Sequence, residues 1–350
     1  MASTTAIPSP NKSVAETAIA YRGAAAIWTL PPDIIQTHIL TRLDAATLAW
    51  AATTCSQLHA LSSQEDLWAN LCFSTWPSTS SPRIRHVIRS FPHGSRCFFS
   101  DSSTIPRPII FATPRNSHMS IDRTPELISA VDLYYRRQLL LSREVETETV
   151  SDWFRYSPFR VDVLEPTEVV QTPMRYPVGE DACLELAEEL RLSWIVIDAR
   201  GGRAMNLSSQ KPVWVQRHWL SGELEVKFTT VMGGEKGSPS ELALCSASVR
   251  CVGVEGGEVQ VREGSLHMED MDGMNLNGKE SLVILQRALE GKRESGKEGR
   301  EGYGMFGKRK RERKERMIRR EGTLDVVCVS FATLSFMWLL YACGCVVWRG

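Results

Sequence analysis

None of the nine cysteines stands in a paired Cys-x-x-Cys spacing, which removes zinc-ribbon and dithiol-redox chemistry from consideration. The first thirty residues lack the basic start, apolar core and cleavage site of a secretory signal. The cysteines then read as free, mostly buried thiols of a reducing compartment, and the sequons Asn11-Lys12-Ser13 and Asn206-Leu207-Ser208 are expected to stay unmodified. Net charge is missing too, with 41 Lys and Arg against 41 Asp and Glu. No Gly-x-Ser-x-Gly, His-Glu-x-x-His or strand-borne Gly-x-Gly-x-x-Gly occurs, so the common hydrolase, zincin and dinucleotide signatures are excluded. What is present is an ordinary globular balance, 43% hydrophobic and 23% charged, which excludes a fully disordered chain.

Three hundred and fifty residues suffice for two folded units with linkers. The charge is unevenly spread: residues 291–320 hold thirteen Lys or Arg against five Glu, which leaves a mildly acidic body. Such a body is poorly suited to wrapping phosphate backbones, and no nucleic-acid partner is expected. Residues 1–24, rich in Ser, Thr, Ala and Pro, read as a disordered leader, and 77–118 as a loop-rich linker dense in Ser, Pro and His. A helix is expected from Thr124, with Pro125 at its first position and Leu127, Ile128, Val131, Tyr134, Tyr135 and Leu139 at helical spacing. Strands are expected near Phe159–Leu164 and Trp194–Ile197, with a short helix over Cys183–Leu190 between them. Apolar and charged residues then alternate in Glu223–Phe228 and Glu258–Arg262, the period of half-buried antiparallel strands. Gly233-Gly234, Gly237-Ser238 and Gly256-Gly257 punctuate these runs as turns, and a helix over Lys279–Glu290 closes the region. Residues 119–290 are therefore an α+β region with a sandwich-like or open-barrel sheet, followed by a basic linker over 291–323.

The strongest pattern lies in residues 25–76. Leu30-Pro31-Pro32-Asp33-Ile34-Ile35 opens a helix continued by Ile39, Leu40 and Leu43. Asp44 can cap a second helix through Leu48, Ala51, Ala52 and Cys55, and Ser62 with Glu65 has capping-box spacing before Leu67, Trp68 and Leu71. A unit this small leans on a partner, and an apolar edge of Leu30, Pro31, Ile34 and Ile35 suits helix-in-groove docking.

The run from Leu30 to Cys72 resembles an F-box: a Leu-Pro start, Ile-Leu-x-x-Leu, Leu-x-x-x-x-x-x-Cys, and a closing Leu-Trp. The resemblance implies a small all-α bundle that docks on the Skp adaptor and through it on cullin. It assigns that contact to Leu30, Pro31, Ile34, Ile35, Leu40, Leu43, Leu48, Leu58 and Trp68. One departure is visible: Gln36-Thr37-His38 separates Ile35 from Ile39 where many members have two residues, and a one-residue shift of the helix register is expected. Trp76-Pro77-Ser78, Phe98-Phe99-Ser100-Asp101 and Met268–Gly273 further resemble a plant F-box subfamily.

Other chemistry-bearing residues have plainer readings. Cys55 and His59 have thiol-base spacing but fall on core positions of the box. His86 and His93 lack zinc-ligand company, Glu269-Asp270 and Asp272 lack a calcium loop, and Gly233–Ser238 reads as a hairpin turn and not a phosphate loop. No catalytic residue, metal or cofactor is expected. Target recognition is assigned to a surface with Trp194, Trp214, His218 and Trp219 as candidates, Trp219 sharing a strand face with Val215 and Trp214 with His218.

Val326–Trp348 is free of charge and preceded by nine basic residues in Lys308–Arg320, so a transmembrane tail anchor over 324–348 with its basic flank in the cytosol is expected. The resulting expectation is a non-enzymatic, substrate-recognising subunit of a Skp–cullin–F-box ubiquitin ligase, on the cytoplasmic face of a membrane or, without an anchor, in cytoplasm or nucleus. A tethered module not engaged with a ligase, and a β-sandwich binding a small ligand or carbohydrate, remain the alternatives.

Overall fold

The computed structural model describes the backbone of residues 30–110, 123–295 and 299–349, and their side chains except at 294–300, 321–322 and 339–349. The expected leader over 1–24 lies outside the described residues, as does 111–118 of the expected linker. The chain divides into two compact units, Met1–Thr75 and Trp76–Gly350.

The first unit is all helical. A short α turn, α1 (Pro32–Ile34), runs into a π turn (Ile35–Ile39) and a 3-10 turn (Leu40–Arg42). α2 (Ala45–Thr54) is capped as expected by Asp44, whose carboxylate accepts the Thr47 N–H at 2.7 Å. α3 (Ser56–Ser62) begins at Cys55, whose Sγ accepts the Leu58 N–H, and α4 (Glu65–Thr75) follows. The capping box expected at Ser62 does not form. Ser62 ends α3, and its hydroxyl donates to the Leu58 carbonyl at 2.6 Å, the alternative that a serine has at a helix end.

The second unit opens with helices where a loop-rich linker was expected: a 3-10 turn (Pro77–Ser80), α5 (Pro82–Arg89) and α6 (Gly94–Ser102). The Ser and Pro density that suggests loops is helix-start chemistry, since the Ser81 hydroxyl caps α5 and Pro82 occupies its first turn. Ile84, Val87 and Ile88 form the buried stripe of α5.

Two antiparallel sheets follow. In the first, β2 (Glu126–Tyr135) lies between β3 (Gln138–Glu148) and β6 (Leu190–Asp198), with β7 (Arg203–Asn206) beyond β6. In the second the order is β4 (Arg160–Asp162), β11 (Glu258–Glu269), β10 (Leu242–Val252), β9 (Leu224–Gly233) and β8 (Trp214–Arg217), and β5 (Val170–Arg175) also pairs with β11. A small third pair joins β1 (Thr104–Pro106) to β12 (Arg293–Ser295). The alternating side chains of β9 and β10, such as Val226, Phe228, Ala247 and Val249, share one core with Val131, Leu133 and Trp194 of the first sheet, the arrangement of a sandwich. α8 (Glu180–Glu189) and α9 (Gly278–Glu290) add Leu186, Leu282 and Leu285 to this core; α9 carries a full capping box from Asn277 and Glu280. The short α7 (Asp152–Tyr156) packs on α9.

The helix expected from Thr124 is strand β2. Its residues are buried on both faces: Leu127, Val131 and Leu133 face the inter-sheet core, while Ile128, Ala130 and Asp132 occupy the other side. A strand covered on both sides has no polar alternation, so its apolar run mimics helical spacing. Asp132 is fully buried, and its carboxylate accepts the Ser78 N–H (3.0 Å), the Ser78 hydroxyl (2.6 Å) and the Ser142 hydroxyl (2.7 Å). Burial nonetheless holds the Asp132 carboxyl above its ordinary range, with the Ser78 and Ser142 bonds pulling the other way.

The basic linker expected over 291–323 is mostly helical. α10 (Gly299–Arg349) buries Phe306 against Val231, Leu242, Leu244 and Met271. It also pairs Arg309 with Glu241, Lys310 with Glu269 and Arg313 with Asp272. The tail anchor expected over 324–348 is not supported: among the described residues no helix is long and apolar enough to cross a membrane. Side chains 339–348 lie outside the described residues.

Two measurements check these forces. Arg136 and Arg137 form the two-residue β2–β3 turn with φ of 48° and 67°, a geometry that favours Asn and Gly. Arg136 is tied to Glu189, with Nε 2.7 Å from its carboxylate, whereas Arg137 has only the strain. Arg137→Gly is expected to raise urea-unfolding stability by about 1 kcal/mol. For Asp132, the native state binds the proton more tightly than the unfolded chain. Its ionisation therefore costs stability as pH rises through the window between the ordinary and the raised pKa. Measured across that window, the parent should lose stability relative to Asp132→Asn as pH rises.

Candidate functional site

The nine positions assigned to adaptor contact separate into core and surface. Ile35, Leu40, Leu48 and Trp68 are buried, none of them more than 4% exposed. They hold the bundle together and do not present a docking face. Trp68 locks the unit from within, its indole N–H donating to the Ser62 carbonyl at 2.8 Å. Leu30, Leu43 and Leu58 are half-buried, and Pro31 and Ile34 are exposed. Two further apolar residues outside the nine stand at the surface: Ile39, and Trp50 on α2, which is 77% exposed. The only sequence signal for Trp50 is a large aromatic side chain two residues away from the buried Leu48 and Ala52, hence on the opposite side of α2.

The extra residue between Ile35 and Ile39 has a local consequence only. The Leu40 N–H closes on the Ile35 carbonyl, one residue further than in an α-helix, so Ile35–Ile39 is a π turn that absorbs the insertion. Ile35 and Leu40 thereby both reach the core, and the register shift expected beyond this point does not propagate. The displaced residue is Ile39, which the π turn leaves at the surface. Gln36 bonds to the Gln64 side chain across the bundle, and Thr37 donates to the Asp33 carbonyl.

Cys55 and His59 do not pair: the Cys55 sulfur caps α3, and His59 Nδ1 faces the Ser63 hydroxyl at 3.5 Å. Burial first, and Glu65 second, push the Cys72 thiol up to about 12.

In the second unit the four target-binding candidates are not brought to one face. Trp194 is fully buried between the sheets, its indole N–H without a partner among the described residues, and it belongs to the core. Trp214 is half-buried on edge strand β8 with the Lys227 ammonium 4.9 Å from its ring centroid. The strand ends at Arg217. His218 and Trp219 are therefore not on the strand faces expected for them. They stand in the following turn, where His218 Nδ1 accepts the Ser221 N–H and Trp219 projects with 87% exposure. In the turn after β11, Asp272 is exposed, whereas Asp270 is buried and its Oδ1 accepts the Asp272 and Met274 N–H groups at 2.9 Å.

Replacing Trp68 by Phe puts a smaller ring in the core and removes the indole N–H that bonds the Ser62 carbonyl. The first unit should lose about 1–2 kcal/mol, read as faster proteolytic cleavage within residues 30–75, while Trp50→Ser, on the surface, should leave cleavage unchanged.

Comparison with known proteins agrees with this division. A family model described as F-box-like matches residues 27–74, the helical unit. "Probable F-box protein At2g36090" of Arabidopsis thaliana is 44% identical to this chain, covering 92% of it and 94% of the relative. "F-box protein At2g27310" of the same plant is 42% identical, over 89% of this chain and 95% of its own length. No solved structure matches significantly. Since the likeness extends through both units and not only the helical one, the chain belongs to the F-box protein family.

Proposed function

We propose that this protein is the target-recognising adaptor of a Skp–cullin–F-box ubiquitin ligase, its helical unit docking on a Skp-type adaptor and its β-rich body holding the target. The observation that carries this reading is the F-box-like match over residues 27–74. Exposed apolar side chains there, Pro31, Ile34, Ile39 and Trp50, stand on a core built from other residues. Such a surface suits helix-in-groove association, in which a few apolar anchors supply most of the affinity.

The protein contributes placement and not bond chemistry: tethering target and ubiquitin-loaded enzyme in one assembly raises their effective concentration. A relay of ubiquitin through a thioester on this chain would need a thiolate. Burial pushes the thiols of Cys72, Cys97, Cys183, Cys245 and Cys251 upward, leaving these five protonated at neutral pH. The working location follows the ligase, in cytoplasm or nucleus.

Co-purification with a Skp-type adaptor tests the reading. Pro31→Ala with Ile34→Lys should reduce recovery about tenfold or more, with helical circular dichroism unchanged because both residues lie outside the core. Equal recovery from parent and variant would place the contact elsewhere, and no recovery from either would sink the ligase reading.

A further inference from the structure

One end of the β-rich body collects exposed apolar side chains. Trp219 and Leu220 form the tip of the β8–β9 turn, Val178 precedes α8, and Leu184 sits on α8; all four are more than half exposed. These pieces are fastened together by buried Tyr176, whose hydroxyl donates to the Gly222 carbonyl in the turn. Beside them lies a cleft of about 470 Å³. Glu180, Cys183 and Leu184 of α8 form one wall, and the four consecutive residues Trp214–Arg217 of β8 form the other.

That second wall defines the geometry. Successive side chains of a strand point to opposite faces, so a cleft touching four in a row runs along the strand's edge. Among the described residues β8 is the end strand of its sheet and pairs only with β9. Its outer row of backbone N–H and C=O groups therefore has no strand partner, a template for an added strand. Charge narrows the occupant further. Arg217, the cation of the lining, is matched by Glu255 at 3.2 Å. Glu180 and its exposed neighbour Asp181 then leave the mouth net negative. Burial raises the Cys183 thiol, which disfavours its thiolate form.

We propose that this cleft docks the target, taking an extended segment that adds a strand to the edge of β8, sets apolar side chains against Leu184, Trp219 and Leu220, and directs a Lys or Arg to Glu180 and Asp181. The consequence of docking rests on the adaptor reading above; the binding itself does not.

The full chain, alone and with a Skp-type adaptor, is probed with an array of random-sequence decapeptides. Bound peptides are expected to alternate apolar residues with Lys or Arg, and methylating every second backbone nitrogen should abolish binding while the intervening set is tolerated. Trp219→Ser and Glu180→Lys, both on exposed residues, should each weaken these peptides about tenfold or more with adaptor co-purification unchanged. The proposal is overturned if no peptide binds, if the binders are acidic, if both substitutions are tolerated, or if methylation acts without alternation. Peptide binding that meets these terms without adaptor recovery supports the cleft and refutes the ligase reading alone.

Discussion

The second unit depends on a strand that meets protein on both sides. β2 is buried along almost its whole length, and its faces serve different neighbours. One joins the inter-sheet core with Trp194 and Phe228. The other carries Asp132, whose carboxylate reaches Ser78 in the helical segment and Ser142 on β3. A buried carboxylate costs several kcal/mol unless its oxygens are satisfied. Three donors offset part of that cost here, and because they come from two elements they fix how the Pro77–Ser80 turn sits on the sheet. The sandwich can then present the β8 edge and the Trp219 turn on a rigid base.

The helical unit solves a different problem. About forty-five described residues must fold around a very small core and still keep apolar area on the surface. The division is sharp: Ile35, Leu40, Leu48, Leu67, Trp68 and Cys72 go inside, while Pro31, Ile34, Ile39 and Trp50 stay out. The π turn makes this compatible with an inserted residue. By adding one residue to one turn it returns Leu40 to the inner face and leaves Ile39 outside. An irregularity that might have disrupted the core instead adds to the exposed apolar surface.

The base of α10 illustrates a third use of the sheet. Phe306 packs over Val231 and Leu244, on the side of β9 and β10 opposite the sandwich core, while Arg309, Lys310 and Arg313 reach Glu241, Glu269 and Asp272 around it. Each exposed ion pair is worth little alone. The apolar contact anchors the helix base, and the pairs orient it.

Sequence alone determined the elements whose chemistry is local. The Asp44 cap, the capping box of Asn277 and Glu280, the alternating strands β9 and β11 and the short helix α8 are all set by residues within a few positions of one another. The F-box pattern was legible for the same reason, since its spacing is short-range. Which of its apolar residues face inward was not, because a hydrophobic residue at a helical position suits a core or a docking face equally well. Tertiary structure decided the rest. Residues 126–135 became a strand because neighbours covered both their faces; residues 77–102 became helices whose Ile84 and Phe98 packing buries completely. Trp194 and Trp219, equal candidates in the sequence, went to the core and to the solvent. A side chain's partners across the chain are set by packing, and no local spacing encodes them.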